Sequence, residues 1–403
     1  MQITLTMKEL NRFKVISEAI DGHLKVKAAA VILKLSERQI FRLKAKVKKE
    51  GPKGIVHKTK GKTNPRWLTE RIKDRINHFY KTKYKGFNLN HMTEFLNDHE
   101  KIKVSRESTR KILITKGSYT PWKKQPKHRQ WREPSAREGQ MLQFDTSDHD
   151  WLEGRGPKFY LIGGADDATS KCPGARFALS DSCRENMRVL KHIVKIKGIP
   201  LIFYCDKDSN FKIAMGQSAH QQLTGEYAQT QIERALKELG VRIIYAGSAQ
   251  AKGRVERQWE TFQDRLCSEL RLYKISTLDA ANHYLWEEFL PKHNRKFSHP
   301  AKEQGSAYRP LPKGLDLDNV FCLKEERIVA ADNTISYNSK TYQILPNDYR
   351  ISFVKAKVMV HEHLNGSIHI FYKDKELKHK QIQKLTNKQQ NLKNTDILSL
   401  YKT

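Results

Sequence analysis

The longest regular run of apolar positions lies in RVERQWETFQDRLCSELRLY, residues 254–273. There Val255, Trp259, Phe262, Leu266 and Leu270 recur at steps of four, three, four and four, which predicts one long helix with that stripe buried. From Gly139 the pattern is that of strands: GQMLQFDTSDHDW, KFYLIGGADDATS and ARFALSD are short β-type runs separated by turn residues. A helical stretch at 184–197 precedes Gly198-Ile199-Pro200 and the apolar strand LIFYC, which ends at Asp206. A helix over 229–239, the strand VRIIYA and the loop GSAQAKG lead into the long helix. Antiparallel-type strands followed by alternating helix and strand predict a mixed α/β sheet.

In the N-terminal part, LKVKAAAVILKLSERQIFRLKAKVKKE (24–50) predicts two short helices around a tight turn closed by Leu35. Ala29, Ala30, Ile32 and Leu33 are expected on the buried side of the first, with Ile40, Leu43 and Val47 on that of the second. Ser36 is placed to cap the second helix. Its outer face carries Arg38, Gln39, Arg42, Lys44 and Lys46, side chains suited to base edges and phosphates, so the pair reads as a helix-turn-helix. A second such unit follows the link GPKGIVHKTKGKTNPR, with helices expected over 67–82, over Leu89 to Asp98, and from Ser105, a cap, to about Leu113. The basic stretch YTPWKKQPKHRQWR (119–132) reads as an extended linker along a DNA backbone or as an ordinary one.

Toward the other end, VFCLKEERIVA, TISYNSKTYQIL, RISFVKAKVMVHEHL and GSIHIFYKDKEL alternate as four or five strands do and predict a small β-barrel over 318–380. The polar stretch KHKQIQKLTNKQQNLKNTD predicts a loose tail over 381–403. The remaining boundaries fall at 1–60 for the first helix-turn-helix domain, 61–132 for the second with its linker, and 133–310 for the α/β core.

Charge turns this architecture toward nucleic acid. The chain of 403 residues carries a net charge of +31, and 22 of those excess charges lie in residues 1–140, where 35 Lys and Arg stand against 13 Asp and Glu. Such a front-loaded excess favours a polyanion through phosphate contacts and counterion release. No run approaches the roughly 20 apolar residues that span a bilayer, and MQITLTMKELNRFK lacks a secretory core, so no membrane role and a cytoplasmic, DNA-associated location are expected. The five cysteines form no CxxC pair, residues 1–140 hold none, and no GxxxxGK[ST] loop occurs. Structural zinc sites and ATP hydrolysis are therefore not expected, and any ATP-using helper would be a separate protein.

Three carboxylates fall where chemistry is expected. Asp145 lies in the first strand, Asp206 at the end of a buried strand and Glu256 in the first turn of the long helix, bordering its stripe. Carboxylates held together repel, and hard divalent cations with oxygen ligands remove the difficulty. Two Mg²⁺ (or Mn²⁺) ions about 4 Å apart suit an in-line phosphoryl displacement. Asp148 and Asp150 compete with Asp145, Asp208 with Asp206, and Glu260 with Glu256. Asp166 and Asp167 read better as a structural turn. Lys252, Arg254 and Arg257 suit DNA phosphates near the metals or a solvated helix face, and His149 and Trp151 suit the site or the core.

The pieces GQMLQFDTSDHDWLEGRGP, ADDAT, GIPLIFYCDKDSNF and above all AQAKGRVERQWETFQDRL, in that order, resemble the catalytic core of bacterial insertion-sequence transposases related to retroviral integrases, of the ISNCY-like kind and the DDE class. The resemblance implies a ribonuclease H-like core, helix-turn-helix units in front and a small barrel behind. It implies Asp145, Asp206 and Glu256 as the metal-binding catalytic triad. It further implies 3′-end cleavage and strand transfer on double-stranded DNA, element ends and target alike, by a homo-oligomer in the synaptic complex. The rival readings are a structure-selective nuclease of the same fold and a catalytically silent DNA-binding regulator.

Overall fold

The computed structural model describes residues 5–57, 68–121, 133–213, 229–247, 253–346 and 350–383. The basic stretch from 122, the residue Lys252 and the polar tail beyond 383 lie outside the described residues. The chain divides into two compact units, Met1–Arg75 and Ile76–Thr403.

The first unit packs α1 (Met7–Ile20), α2 (Val26–Leu33) and α3 (Glu37–Glu50) around Ile16, Ala19, Ala29, Ile40 and Val47. Thr6 and Ser36 each close a capping box, with Glu9 and Gln39 as the reciprocal partners, so two orphan donors at each helix start are satisfied. Lys34, at φ 52°, ends α2 in the left-handed region. Ile32, expected inside, is 55% exposed, and Val31 is exposed beside it. Six apolar residues in a row, Ala28 to Leu33, leave no periodicity to say which side faces in, and the small Ala29 and Ala30 take the close approach to α3.

The second unit begins within α4 (Glu70–Lys81) and continues through α5 (Leu89–Asp98) and α6 (Arg106–Thr115). Asn88 and Ser105 cap α5 and α6 through backbone N–H groups three residues on. Then comes a five-stranded sheet in the order β3-β2-β1-β4-β5, from β1 (Met141–His149), β2 (Phe159–Asp166), β3 (Ala175–Ala178), β4 (Ile202–Cys205) and β5 (Arg242–Tyr245). β1, β2 and β3 are antiparallel, whereas β4 and β5 run parallel to β1.

Helices α7 (Cys183–Lys197) and α8 (Gln231–Glu238) bury Leu190, Ile193 and Leu236 on one face of the sheet against Leu142, Phe144 and Phe203. The long helix α9 (Gly253–Leu272), with α10 (Leu278–Tyr284), covers the other face, where Val255, Trp259, Phe262, Leu266 and Leu270 meet Leu161, Ala165 and Phe177. The expected stripe on α9 is the buried one. Its C-terminal half also holds α5: His91 Nε2 lies 2.8 Å from Glu269 Oε1, and Arg265 donates to both Glu94 oxygens.

Beyond the core, β6 (Cys322–Ile328), β9 (Lys357–His363), β10 (Ile368–Tyr372) and β11 (Lys375–Leu377) form one sheet. A second contains β7 (Thr334–Tyr337), β8 (Lys340–Ile344) and β12 (His379–Ile382), and both enclose Ile335, Tyr342, Phe353, Val360 and Ile370. The expected barrel is thus, among the described residues, two sheets of four and three strands with no ladder closing them into one ring. TISYNSKTYQIL and GSIHIFYKDKEL, each read as one strand, are hairpins that turn at Asn338-Ser339 and Lys373-Asp374, all four residues at positive φ. Such turns ordinarily carry glycine, so their sequence signal is weak. The stretch read as tail begins inside β12, which pairs with β8.

Helix α11 (Leu290–Phe297) contributes the buried His293, whose ring lies 4.6 Å from that of Phe262 and 4.9 Å from that of Phe297. Burial, and next the Arg265 charge, lower its pKa to about 3 from an ordinary 6.5. The unfolded chain therefore takes up this proton first on acidification. The stabilisation is full above about pH 6.5 and drains as pH falls toward 3. In thermal melts, His293→Phe is expected to flatten the fall in Tm between pH 7 and pH 5; an unchanged slope would contradict this account.

Candidate active site

Strand β1 alternates between the two faces of the sheet. Leu142 and Phe144 enter the α7/α8 core, which puts Gln143, Asp145 and Ser147 on the face covered by α9. On β4, Phe203 and Cys205 join the same α7/α8 core, so Tyr204 and Asp206 also face α9. The parallel register pairs Met141 with Ile202, Leu142 with Phe203 and Gln143 with Tyr204. Asp145 and Asp206 each stand two residues beyond the last of these pairs. They therefore stand at one height, Asp145 at the middle of β1 and Asp206 just past the end of β4, where the strand spacing is about 4.8 Å. Both are half-buried.

Across the antiparallel ladder Asp145 faces Gly163, which has no side chain to crowd it. A Cβ on Gly163 would come within 2.7 Å of the Ala175 Cβ on β3, so glycine is required there by the close approach of the strands.

Four polar contacts stitch α9 along this face. Val255 N–H donates to Gln143 Oε1 at 3.2 Å, Arg254 Nε lies 2.8 Å from Asp167 Oδ1, Gln258 Nε2 donates to the Gly164 carbonyl at 3.2 Å and Gln263 Nε2 to Ser147 Oγ at 3.0 Å. The first two immediately precede Glu256, which is exposed in the first turn of α9, where the helix dipole favours an acid. Asp145 and Asp206 are brought together by register. Glu256 is tethered to the same strand but does not complete a cluster: no three His, Cys, Asp or Glu side chains converge to hold a metal among the described residues.

The competing carboxylates have other occupations. Asp148 lies on the opposite face from Asp145 and pairs with Lys158 at 2.7 Å. Asp150 Oδ1 accepts from Gly154 N–H, and Asp208 Oδ1 accepts from Asn210 N–H at 3.0 Å, so both tie turns. Asp208 N–H in turn donates to Asp206 Oδ1 at 3.3 Å. Glu260 is exposed one turn beyond Glu256. Trp151 is fully buried and belongs to the α9-side core, and His149 packs edge-on against it at 5.3 Å.

Asp166 and Asp167 do structural work. Both are almost fully buried. Asp166 accepts from Gly139 N–H and from the Thr169 backbone and hydroxyl, yet burial still raises its pKa. Asp167 Oδ2 accepts from both N–H and Oγ of Ser135 at 2.8 Å, while its Oδ1 accepts from Gln143 Nε2 at 2.7 Å. The part played by Gln143 escaped sequence reasoning, although its signal was present: a lone amide in the apolar run Met141-Leu142-Gln143-Phe144.

Of the residues expected on DNA, Arg38, Gln39, Arg42 and Lys46 are exposed on α3. Gln39 Oε1 accepts from Ser36 N–H, and Lys44 is drawn away to the Ala19 carbonyl at 2.6 Å. Between Arg38 and Arg42 stands Phe41, 59% exposed and unforeseen from the apolar pattern. Arg257 is exposed, and its Nε donates to the Gly253 carbonyl at 3.2 Å.

A mixed sheet with two acids level on its central parallel strands, in a chain whose separate helical unit exposes a row of cations, suits a protein that processes DNA. No protein-family model matches the chain. It is 32% identical over 375 residues to the putative transposase y4bF of Sinorhizobium fredii, covering 92% of this chain and 80% of that protein. It is 27% identical over 405 residues to the transposase for insertion sequence IS1202 of Streptococcus pneumoniae, covering 92% and 85%. The chain belongs to the bacterial insertion-sequence transposases, and its function is DNA transposition. Among solved structures it is similar to the HTLV-2 integrase catalytic core domain in complex with magnesium, with TM-score 0.27, 16% identity, and coverage of 37% of this chain and 84% of that one. It is also similar to a simian T-cell lymphotropic virus intasome in complex with PP2A regulatory subunit B56 gamma, with TM-score 0.33, 14% identity, and coverage of 75% and 98%. Among the described residues no helix is long and apolar enough to cross a membrane.

Gly163→Ala is expected to cost about 1–3 kcal/mol in urea unfolding through overpacking against Ala175. Gly253→Ala, whose added Cβ meets nothing within 4 Å, is expected to cost nothing measurable. Equal stabilities for the two variants would rule out close strand approach as the reason for Gly163.

Proposed function

We propose that this transposase cuts the 3′ ends of its element and joins them to target DNA at a site built from Asp145, Asp206 and Glu256, on a core of ribonuclease H-like plan. The observation that carries the reading is the shared register of Asp145 and Asp206 on adjacent parallel strands, facing a helix whose first turn holds Glu256 and is tied to Gln143. The antiparallel triplet continued by two parallel strands supports the core assignment.

The donor set fits Mg²⁺ or Mn²⁺. It consists of carboxylate oxygens alone, two of the groups being half-buried and level on adjacent strands. Two such ions would lower the pKa of an attacking water or hydroxyl and stabilise the leaving oxygen. The protein's own part is to hold three like charges together in one orientation before DNA arrives. Arg257, and Lys252, which precedes α9 in the sequence, suit the phosphates on either side of the scissile bond. On α3, Arg38, Gln39, Arg42 and Lys46 present donors to a duplex, consistent with the excess charge of residues 1–140. A homo-oligomer that pairs two ends follows from the chemistry of joining both to one target.

On labelled duplexes carrying the gene's own flanking DNA, with Mg²⁺ or Mn²⁺, the wild type is expected to nick and to join. Glu256→Gln is expected to lower both rates by at least about 10³-fold while end binding survives. Cutting without joining would favour the nuclease, and binding without either reaction by the wild type would favour the regulator.

Phe41, set among cations, is suited to the 5-methyl group of thymine. A scan of the bound end with deoxyuridine in place of thymidine should find a position where the wild type loses affinity about 3- to 10-fold. Phe41→Ala should be indifferent to the same change; uniform tolerance by the wild type would rule out this contact.

A further inference from the structure

The buried Asp167 lies on three segments at once: the chain entering the core at Ser135, strand β1 at Gln143 and the first turn of α9 at Arg254. Gln143 spends its amide on both sides of this junction. Its Nε2 donates to Asp167 Oδ1, and its Oε1 accepts from Val255 N–H. Arg254 and Val255 immediately precede Glu256, and Gln143 stands two residues before Asp145 on the same face of β1. One continuous chain of hydrogen bonds thus connects the strand that carries one acid to the helical turn that carries another.

Alternative roles for these groups fit less well. A phosphate-binding arginine needs its guanidinium in solvent, yet the Arg254 side chain is 18% exposed and held against a carboxylate with no exposure at all. A carboxylate that ligates a cation needs an open lone pair toward the site, whereas both Asp167 oxygens already accept bonds from Ser135, Gln143 and Arg254. A buried ion pair of this kind contributes little net stability, so its physical value is the single geometry it enforces. The exposed Glu256 has no comparable constraint of its own.

We propose that Asp167, Arg254 and Gln143 form a positioning latch that fixes the first turn of α9 against β1 and thereby sets Glu256 beside Asp145. This rests on the triad reading above. The latch touches neither DNA nor the reacting atoms. Its loss leaves Glu256 present but free to wander, which lowers affinity for the cation and the rate of reaction without loosening DNA. Outer partners that orient ligating groups are commonly worth 10- to 100-fold in metal affinity or activity.

The test compares Arg254→Met, Arg254→Lys and Gln143→Ala with the wild type and with Glu256→Gln in the full chain. In metal-free protein, hydrogen exchange over residues 253–259 should rise at least tenfold in Arg254→Met and Gln143→Ala. Mn²⁺ affinity, followed by electron paramagnetic resonance, should fall 10- to 100-fold in both, and kcat for joining should fall with it while KM for end DNA stays within twofold. Arg254→Lys, which keeps the charge, should recover most of each loss. If Arg254→Met fails to fold, Gln143→Ala, which leaves the ion pair intact, carries the same expectations. A raised KM with unchanged exchange and Mn²⁺ affinity would overturn the latch and return Arg254 to the phosphates. Should Glu256→Gln itself keep Mn²⁺ affinity and turnover, the triad reading fails; if it loses both while the latch variants lose neither, only the latch fails.

Discussion

Strand β1 is hydrogen-bonded along both edges and covered on both faces, and that double confinement orders the rest of the core. A residue in its first half, where both neighbours pair with it, has little solvent to turn to. Leu142 and Phe144 take one apolar layer, and what faces the other way must be apolar, hydrogen-bonded or functional. Gln143 is satisfied by Asp167 and Val255, Ser147 by Gln263, and Asp145 stands half-buried opposite a glycine, just past the last pair with β4. The polar alternation on β1 is therefore the template onto which α9 docks, and the register of β4 then brings Asp206 level with Asp145.

Features governed by local periodicity were legible in the sequence. The five apolar positions of α9 alone specify its buried face, and Ser36 and Ser105 mark helix starts because a side-chain oxygen there answers free N–H groups. The apolar run Met141-Leu142-Phe144 and the end of LIFYC favour Asp145 over Asp148 and Asp206 over Asp208 in the sequence, but the level register of the favoured pair, the Lys158 partner of Asp148 and the turn tied by Asp208 are relations that only the fold displays. The same holds for the latch, whose members are spread from Ser135 to Val255, and for Arg254, which local sequence cannot distinguish from a solvated cation. The hairpins at Asn338-Ser339 and Lys373-Asp374 were hidden for another reason: positive φ was achieved without glycine.

Positive charge and acidic chemistry are segregated along the chain. The exposed cations of α3 belong to the first unit, while the half-buried acids sit in the second, inside a sheet whose own surroundings are nearly balanced in charge. On the proposed function, recognition and reaction would then draw on different physics, salt-sensitive attraction at a surface for the one and carboxylates held at fixed spacing for the other.

Helix α9 is gripped near both ends. Its first turn is held by Arg254 and Val255, and its last by Arg155, whose Nη1 donates to the carbonyls of Leu270 and Ile275, while α5 clasps the turns between through His91, Glu94, Arg265 and Glu269. Twenty residues of α-helix make a rod of about 30 Å that does not compress. Mechanically it is a braced beam: anchored at both ends and clasped between, it cannot slide or pivot without breaking several of these contacts at once, so the height at which its first turn meets β1 is set along its whole length.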